Sequence, residues 1–292
     1  MKIGFIGLGL MGGAMAANLV KGGHTVRGYD ISTASMDKLN QAGGKAVTSV
    51  VEAAAEADVV FTMLPNGPDV ENAAFGPGGL AQSMRRGALF VDCSTILPEI
   101  TLSVGKVMRE HGIKALDAPV GRTSAEAVTG KLLFMVGGEA EDIAFVKPCL
   151  ECMGDTVIHC GPLGSGIATK LINNYMTTTL NVLTAEALTL GERLGLKQET
   201  LLEVLRGTPA GRGHINTTYP NKVLKGDTSP AFMMDLADKD LGLALEVAAS
   251  RKLPLFTGSG ARQAYSLARS QGFGRLDWTA MFFAVQNMSK TE

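Results

Sequence analysis

At 292 residues the chain has room for one large domain or two ordinary ones, and 46% hydrophobic against 19% charged residues point to a substantial core. A formal net charge of −1 gives no electrostatic case for nucleic acid or an anionic membrane surface as partner. No apolar run reaches about 18 residues without polar interruption, and the N-terminus opens into a strand pattern rather than a signal peptide, so no membrane partner and a cytoplasmic location are expected. Cys149 and Cys152 form a C-x-x-C, but no second pair or His spacing completes a zinc site. Cys93, Cys149, Cys152 and Cys160 are therefore expected to be reduced structural thiols, with no metal.

The apolar run Lys2–Ile6 leads directly into Gly7-Leu8-Gly9-Leu10-Met11-Gly12, and a small-residue helix follows through Met15, Ala16, Leu19 and Val20 until Gly22-Gly23. A second strand, His24–Tyr29, ends at Asp30. Strand, G-x-G-x-x-G, helix, strand and acid in this order are the context that makes the glycine motif a dinucleotide signature. Gly7 allows the tight turn, Gly9 lets the backbone approach a pyrophosphate, and Gly12 lets helix and strand pack closely. The helix N-terminus holds the anion. Asp30 is placed to bond the adenosine ribose hydroxyls and to repel a 2′-phosphate. Ile31 and Ser32 follow with no arginine, so NAD is expected, with NADH preferred over NADPH.

Strand and helix keep alternating. Val51–Ala57 reads as helix and Asp58–Leu64 as a buried parallel strand, broken at Pro65-Asn66-Gly67-Pro68. Ala88–Asp92, Ile113–Asp117, Leu132–Val136 and Thr156–His159 supply further strands of a doubly wound sheet, whose carboxyl ends are where ligands bind. Leu64, Pro65 and Asn66 occupy one such end. Ser94 and Thr95 occupy another, either as ribose or substrate contacts or as an N-cap for the helix after Pro98. Gly121-Arg122-Thr123-Ser124 forms a third, rich in donors for an anionic headgroup; a surface arginine beside an N-capping serine is the plainer alternative.

After Gly161-Pro162-Leu163-Gly164 the pattern turns to continuous helical periodicity. Gly164–Thr179 reads as a mostly buried helix continuing through Asn181–Leu194, about 30 residues in all. Lys170, Asn173, Asn174 and Thr177 recur at i, i+3, i+4 and i+7, which places them on one face. On this stretch alone a cleft wall and a set of helix–helix hydrogen bonds are equally good readings. Glu199–Leu205, Met233–Ser250, Gly258–Ser270 and Trp278–Met288 read as further helices. Gly207–Gly213 reads as a mobile loop, and Asp235 with Lys239 as an i,i+4 pair.

A nicotinamide cofactor brings hydride chemistry, so the protein must supply a proton and position the substrate. None of the four histidines lies in a strong motif. Lys170, on the polar stripe and in a desolvating setting, is the best general acid. A dinucleotide sensor without turnover is the alternative of another class, and it has no need for such a lysine.

Four stretches together, Gly4–Leu19 (GFIGLGLMGGAMAANL), Asp117-Ala118-Pro119-Val120, the run from Gly161-Pro162 through Gly164, Gly166 and Lys170-Leu171 to Asn173-Asn174, and Lys239-Asp240-Leu241, resemble the β-hydroxyacid dehydrogenases, which include 3-hydroxyisobutyrate dehydrogenase and tartronate semialdehyde reductase. The resemblance implies an α/β Rossmann-like domain (1–161) followed by an all-α domain (162–292), with a homodimer or homotetramer formed through the helices. It implies catalysis by Lys170, substrate contact from Asn174, and cofactor contacts from Leu64, Pro65, Thr95 and Lys239. The family usually has Ser-Gly-Gly after Asp-x-Pro-Val, whereas Gly121-Arg122-Thr123 stands here. With Ser124 and with the stretches Lys170–Met176 and Pro220–Met233, this resembles the branch that reduces 3-sulfolactaldehyde to 2,3-dihydroxypropane-1-sulfonate in sulfoquinovose breakdown. A sulfonate offers three acceptor oxygens, which Arg122, Thr123 and Ser124 meet, with Asn173, Asn174 and Thr177 completing the grip. A carboxylate semialdehyde is the rival substrate.

Overall fold

The structure, a computed structural model, describes residues 1–289; the last three residues of the expected second domain, 290–292, lie outside the described residues. The chain divides into two compact units, Met1–Tyr175 and Met176–Glu292.

The first unit is built on a sheet whose strands β1 (Lys2–Ile6), β2 (Thr25–Tyr29), β3 (Lys45–Ala46), β4 (Val59–Thr62), β5 (Leu89–Asp92) and β6 (Lys114–Asp117) are all parallel. Their spatial order is β3-β2-β1-β4-β5-β6. Helices α1 (Leu10–Lys21), α2 (Thr33–Gln41), α3 (Val50–Ala54), α4 (Gly67–Phe75), α5 (Leu80–Ser83) and α6 (Pro98–Glu110) connect them. The strands are apolar on both faces because both faces are covered. One core gathers Phe5, Met15, Leu19, Phe61 and Phe134, and the other gathers Ile6, Val60, Val70, Phe90 and Met108. The strand order reverses between β1 and β4, which opens a crevice at the carboxyl ends of these two strands.

Beyond β6 the sheet departs from the expected parallel pattern. β7 (Val120–Gly121) continues past Pro119, and β8 (Leu132–Gly137) runs antiparallel to both β6 and β7. β9 (Gly154–Gly161) then pairs parallel with β8. A short helix, α7 (Ser124–Val128), and a longer one, α8 (Ala140–Met153), link these strands. The thiols of Cys93 and Cys149 are buried, and burial pushes that of Cys149 up to about 12. All four cysteines are free.

Helix α9 (Ser165–Arg193) has the expected length, 29 residues. The division between the two compact units falls inside it, after Tyr175. The physical reason is Asp117, which accepts backbone N–H bonds from Gly164 (2.7 Å) and Ile167 (2.6 Å) and so ties the first turns of α9 to the sheet. The expectation of a mostly buried helix is corrected: Ile172 is 65% exposed and Tyr175 72% exposed, although their apolar character reads as core.

The second unit holds α10 (Gln198–Gly207), α11 (Pro209–Arg212), α12 (Met234–Ser250), α13 (Phe256–Ala268) and α14 (Met281–Met288). Its small core gathers Met234, Ala268, Ala280 and Ala284. The segment read as a mobile loop at 207–213 contains the short helix α11, entered through Thr208 with proline in its first turn. The expected Asp235–Lys239 pair does not form. Arg269 takes Asp235 (2.6 Å) and the buried Asp238 (2.5 Å) in one fork, and Lys239 pairs with Asp240 (2.8 Å). Among the described residues no helix is long and apolar enough to cross a membrane.

Candidate active site

A cleft of about 700 Å³ opens at the β1/β4 crevice. Gly7, Gly9, Leu10, Met11, Gly12, Asp30, Ile31, Leu64 and Pro65 line it, as the sequence reading expects, together with Tyr29, Asp69 and Asn72, which that reading did not single out. The local chemistry explains the glycines. Gly7 sits at φ +91°, where a side chain is strained, and a Cβ there would lie 2.3 Å from the Met63 carbonyl. A Cβ at Gly12 would lie 2.0 Å from the Gly7 carbonyl, so helix and turn touch backbone to backbone. A Cβ at Gly9 would meet no protein atom within 4 Å, because the space in front of it is the cleft.

No side chain caps the N-terminus of α1, and no acid lies in its first turn. Its amides are thus free of a side-chain competitor for an anion. Asp30 accepts N–H bonds from Leu8 (2.6 Å) and Ser32 (2.7 Å), one on each oxygen. Each oxygen keeps a further acceptor position for a hydroxyl. Ile31, 95% exposed, stands beside it as an apolar wall. The residues present fit a dinucleotide: amides for phosphate, a carboxylate for ribose, and an apolar ledge for a base.

The neighbouring strand ends are cross-braced. The buried Asp92 accepts from Thr62 Oγ1 (2.7 Å) and from the Ser94 amide (3.0 Å), while Ser94 Oγ accepts the Leu64 amide (2.9 Å). Ser94 therefore anchors the cleft wall, Thr95 beside it is exposed, and the cap of α6 falls to Leu97 with no side-chain bond. Leu8 is buried beneath the cleft, and Asn66 caps α4 by accepting from the Asp69 amide (3.0 Å).

Lys170, half-buried, and Asn174, half-buried, lie on α9 with the exposed Asn173, whose amide donates to Asn174 Oδ1 (3.3 Å). Burial pushes the Lys170 ammonium below its ordinary value of 10.5. Thr177 is exposed and lies past the division between the units, as does Lys239.

Two of the side chains at 121–124, where an anion grip is expected, already have partners within the chain. The Arg122 guanidinium is already held on the sheet edge: it donates to Asp155 Oδ1 (2.6 Å), to Thr156 Oγ1 (3.3 Å) and to the Lys131 carbonyl. The Thr123 hydroxyl belongs to a capping box, donating to Glu126 (2.5 Å) and accepting from the Ala125 amide (3.3 Å), so that Thr123 rather than Ser124 caps α7. Arg122 is also at φ +75°, one of two non-glycine residues with positive φ among those described.

The profile for the NAD binding domain of 6-phosphogluconate dehydrogenase matches residues 2–161. The profile for the NAD-binding domain of NADP-dependent 3-hydroxyisobutyrate dehydrogenase matches residues 164–285. The chain belongs to the β-hydroxyacid dehydrogenase family. It is an NAD-binding oxidoreductase with a Rossmann-like first domain and a helical second one. Among its relatives, 3-sulfolactaldehyde reductase of Escherichia coli (strain K12) is 46% identical over 97% of this chain and 95% of the relative. The 2-(hydroxymethyl)glutarate dehydrogenase of Eubacterium barkeri is 38% identical over 99% and 96%. Of solved structures, a 3-hydroxyisobutyrate dehydrogenase of Mycobacterium tuberculosis with L-serine is 35% identical with a TM-score of 0.69, covering 97% of this chain and 98% of that one.

Proposed function

We propose that this dehydrogenase uses NADH to reduce 3-sulfolactaldehyde to 2,3-dihydroxypropane-1-sulfonate, a step of sulfoquinovose breakdown, in the cytoplasm. The observation that carries the substrate is the 46% identity to 3-sulfolactaldehyde reductase over nearly the whole chain. The departure at Gly121-Arg122-Thr123-Ser124 from the usual Ser-Gly-Gly supports it, because the Arg122 guanidinium adds donors for a third acid oxygen.

When bound, the nicotinamide supplies a hydride to the aldehyde carbon. Lys170 gives a proton to the aldehyde oxygen, and its desolvation makes the ammonium a readier donor than a lysine in water. Asn173, Asn174 and Thr177 hold the substrate. The α1 amides and Gly7–Gly12 take the pyrophosphate, with Leu64, Pro65, Asn66, Thr95 and Lys239 completing the cofactor's surroundings. In this reading residues 1–161 carry the cofactor and 162–292 the catalytic helix and the oligomer contacts. The exposed Ile172, Tyr175 and Leu180 on α9 support a homodimer or homotetramer formed through the helices.

Steady-state kinetics test the substrate: kcat/KM is expected to favour the sulfonate aldehyde over carboxylate semialdehydes, and a preference for a carboxylate would overturn it. Asp30 gives the cofactor prediction. Wild-type enzyme is expected to turn over slowly with NADPH. Asp30→Ala is expected to shift the NADH:NADPH ratio of kcat/KM towards NADPH by about 10- to 100-fold, the worth of a hydrogen bond to a charged group. Equal wild-type rates with both cofactors would refute the role of Asp30.

A further inference from the structure

We propose that Asp117 is a positioning residue for Lys170, an inference that rests on the reading of Lys170 as the proton donor. Asp117 ends β6 with its carboxylate buried, 1% exposed. Oδ1 accepts the Gly164 amide at 2.7 Å and Oδ2 the Ile167 amide at 2.6 Å. These amides belong to the turn and the first turn of α9. Lys170 is three residues beyond Ile167, about 4.5 Å further along the helix axis. The carboxylate thus fixes where the catalytic helix starts relative to the sheet.

The surrounding backbone is shaped to admit this group. A Cβ at Gly137 would lie 2.3 Å from Asp117 Oδ1. A Cβ at Gly166 would lie 2.8 Å from Oδ2 and 2.3 Å from the Met135 carbonyl. Burial pushes the Asp117 carboxyl upward while the α9 amides pull it back, so the fold keeps a costly buried acid at this place. Only a carboxylate offers both oxygens as acceptors at once; an asparagine must turn an NH₂ towards one of the two N–H groups. Lys170 reaches out from this helix, so the place of the helix sets the point from which its ammonium is delivered. A misplacement of about 1 Å can cost about 100-fold in rate.

The test uses the full-length enzyme as Asp117→Asn, Gly166→Ala, Lys170→Ala and the Asp117→Asn/Lys170→Ala double variant, with kcat, KM, NADH affinity and Tm measured for each. Asp117→Asn is expected to lower kcat by about 10- to 100-fold with NADH affinity within about twofold of wild type. Gly166→Ala, which pushes the helix off the carboxylate, is expected to do the same, and it carries the comparison if the asparagine variant does not fold. In the Lys170→Ala background Asp117→Asn is expected to change kcat by less than about twofold, because the residue acts through the lysine. An unchanged kcat in Asp117→Asn, a loss that multiplies with that of Lys170→Ala, or loss of NADH binding alongside activity in both single variants would overturn the proposal. Unchanged turnover in Lys170→Ala alone would instead remove the lysine's role, a separate failure.

Discussion

Replacing Lys170 by alanine is expected to lower kcat for aldehyde reduction by about 10²- to 10⁴-fold, the usual contribution of a positioned general acid. NADH should bind to the variant as it does to the wild type, because the cleft of Gly7–Gly12, Asp30 and Leu64 contains no part of α9. Fluorescence titration with NADH beside steady-state kinetics separates the two effects. The pH dependence carries the same assignment with a definite sign. Reduction needs the ammonium form, and desolvation lowers its pKa below 10.5. The reductive kcat should therefore fall as pH rises through that lowered value, with an alkaline limb below pH 10.5. Oxidation of the alcohol needs the neutral amine and should rise over the same interval. The two limbs should vanish together in Lys170→Ala. Retention of either limb, or unchanged turnover, would place the acid elsewhere.

Local patterns carried the first half of the fold. Gly7, Gly9 and Gly12 between two short apolar strands admit only one close turn, and Asp30 marks the end of β2, so the cleft was legible before any tertiary contact. The long helix was legible from its unbroken periodicity. What escaped the sequence depends on partners far along the chain. Asp117 reads as part of a strand-end motif, yet its function in the fold comes from amides 47 and 50 residues later. Arg122 reads as a free anion donor, but its partner Asp155 lies 33 residues on, at an edge strand whose antiparallel approach through β8 has no local signal. Asp235 and Lys239 have ideal helical spacing and still part, because the Arg269 fork offers Asp235 a better partner. The apolar side of α9 could not be told from core, since composition is the same whether a face is buried or exposed.

Arg122→Gly is the substitution that tests the acid group of the substrate. The guanidinium pairs with Asp155, and both side chains are substantially exposed, at 36% and 49%. Such a solvent-exposed pair contributes little to stability. In the proposed reading the guanidinium exchanges this weak pair for a charge-assisted contact to the sulfonate, a class of contact worth about 1.5–3 kcal/mol. Glycine at this position removes that contact, and kcat/KM for the sulfonate aldehyde is expected to drop by about 10- to 100-fold while a carboxylate analogue changes less. Stability should hardly move. Arg122 sits at φ +75°, where a side chain costs about 1–2 kcal/mol that glycine relieves. Against this stand the lost ion pair and the greater freedom of glycine in the unfolded chain, about 0.4–1 kcal/mol. A Tm near that of the wild type with selective loss on the sulfonate would tie the strained arginine to substrate recognition. An unchanged kcat/KM for the sulfonate would leave Arg122 as an edge-strand clasp and return the substrate question to the carboxylates.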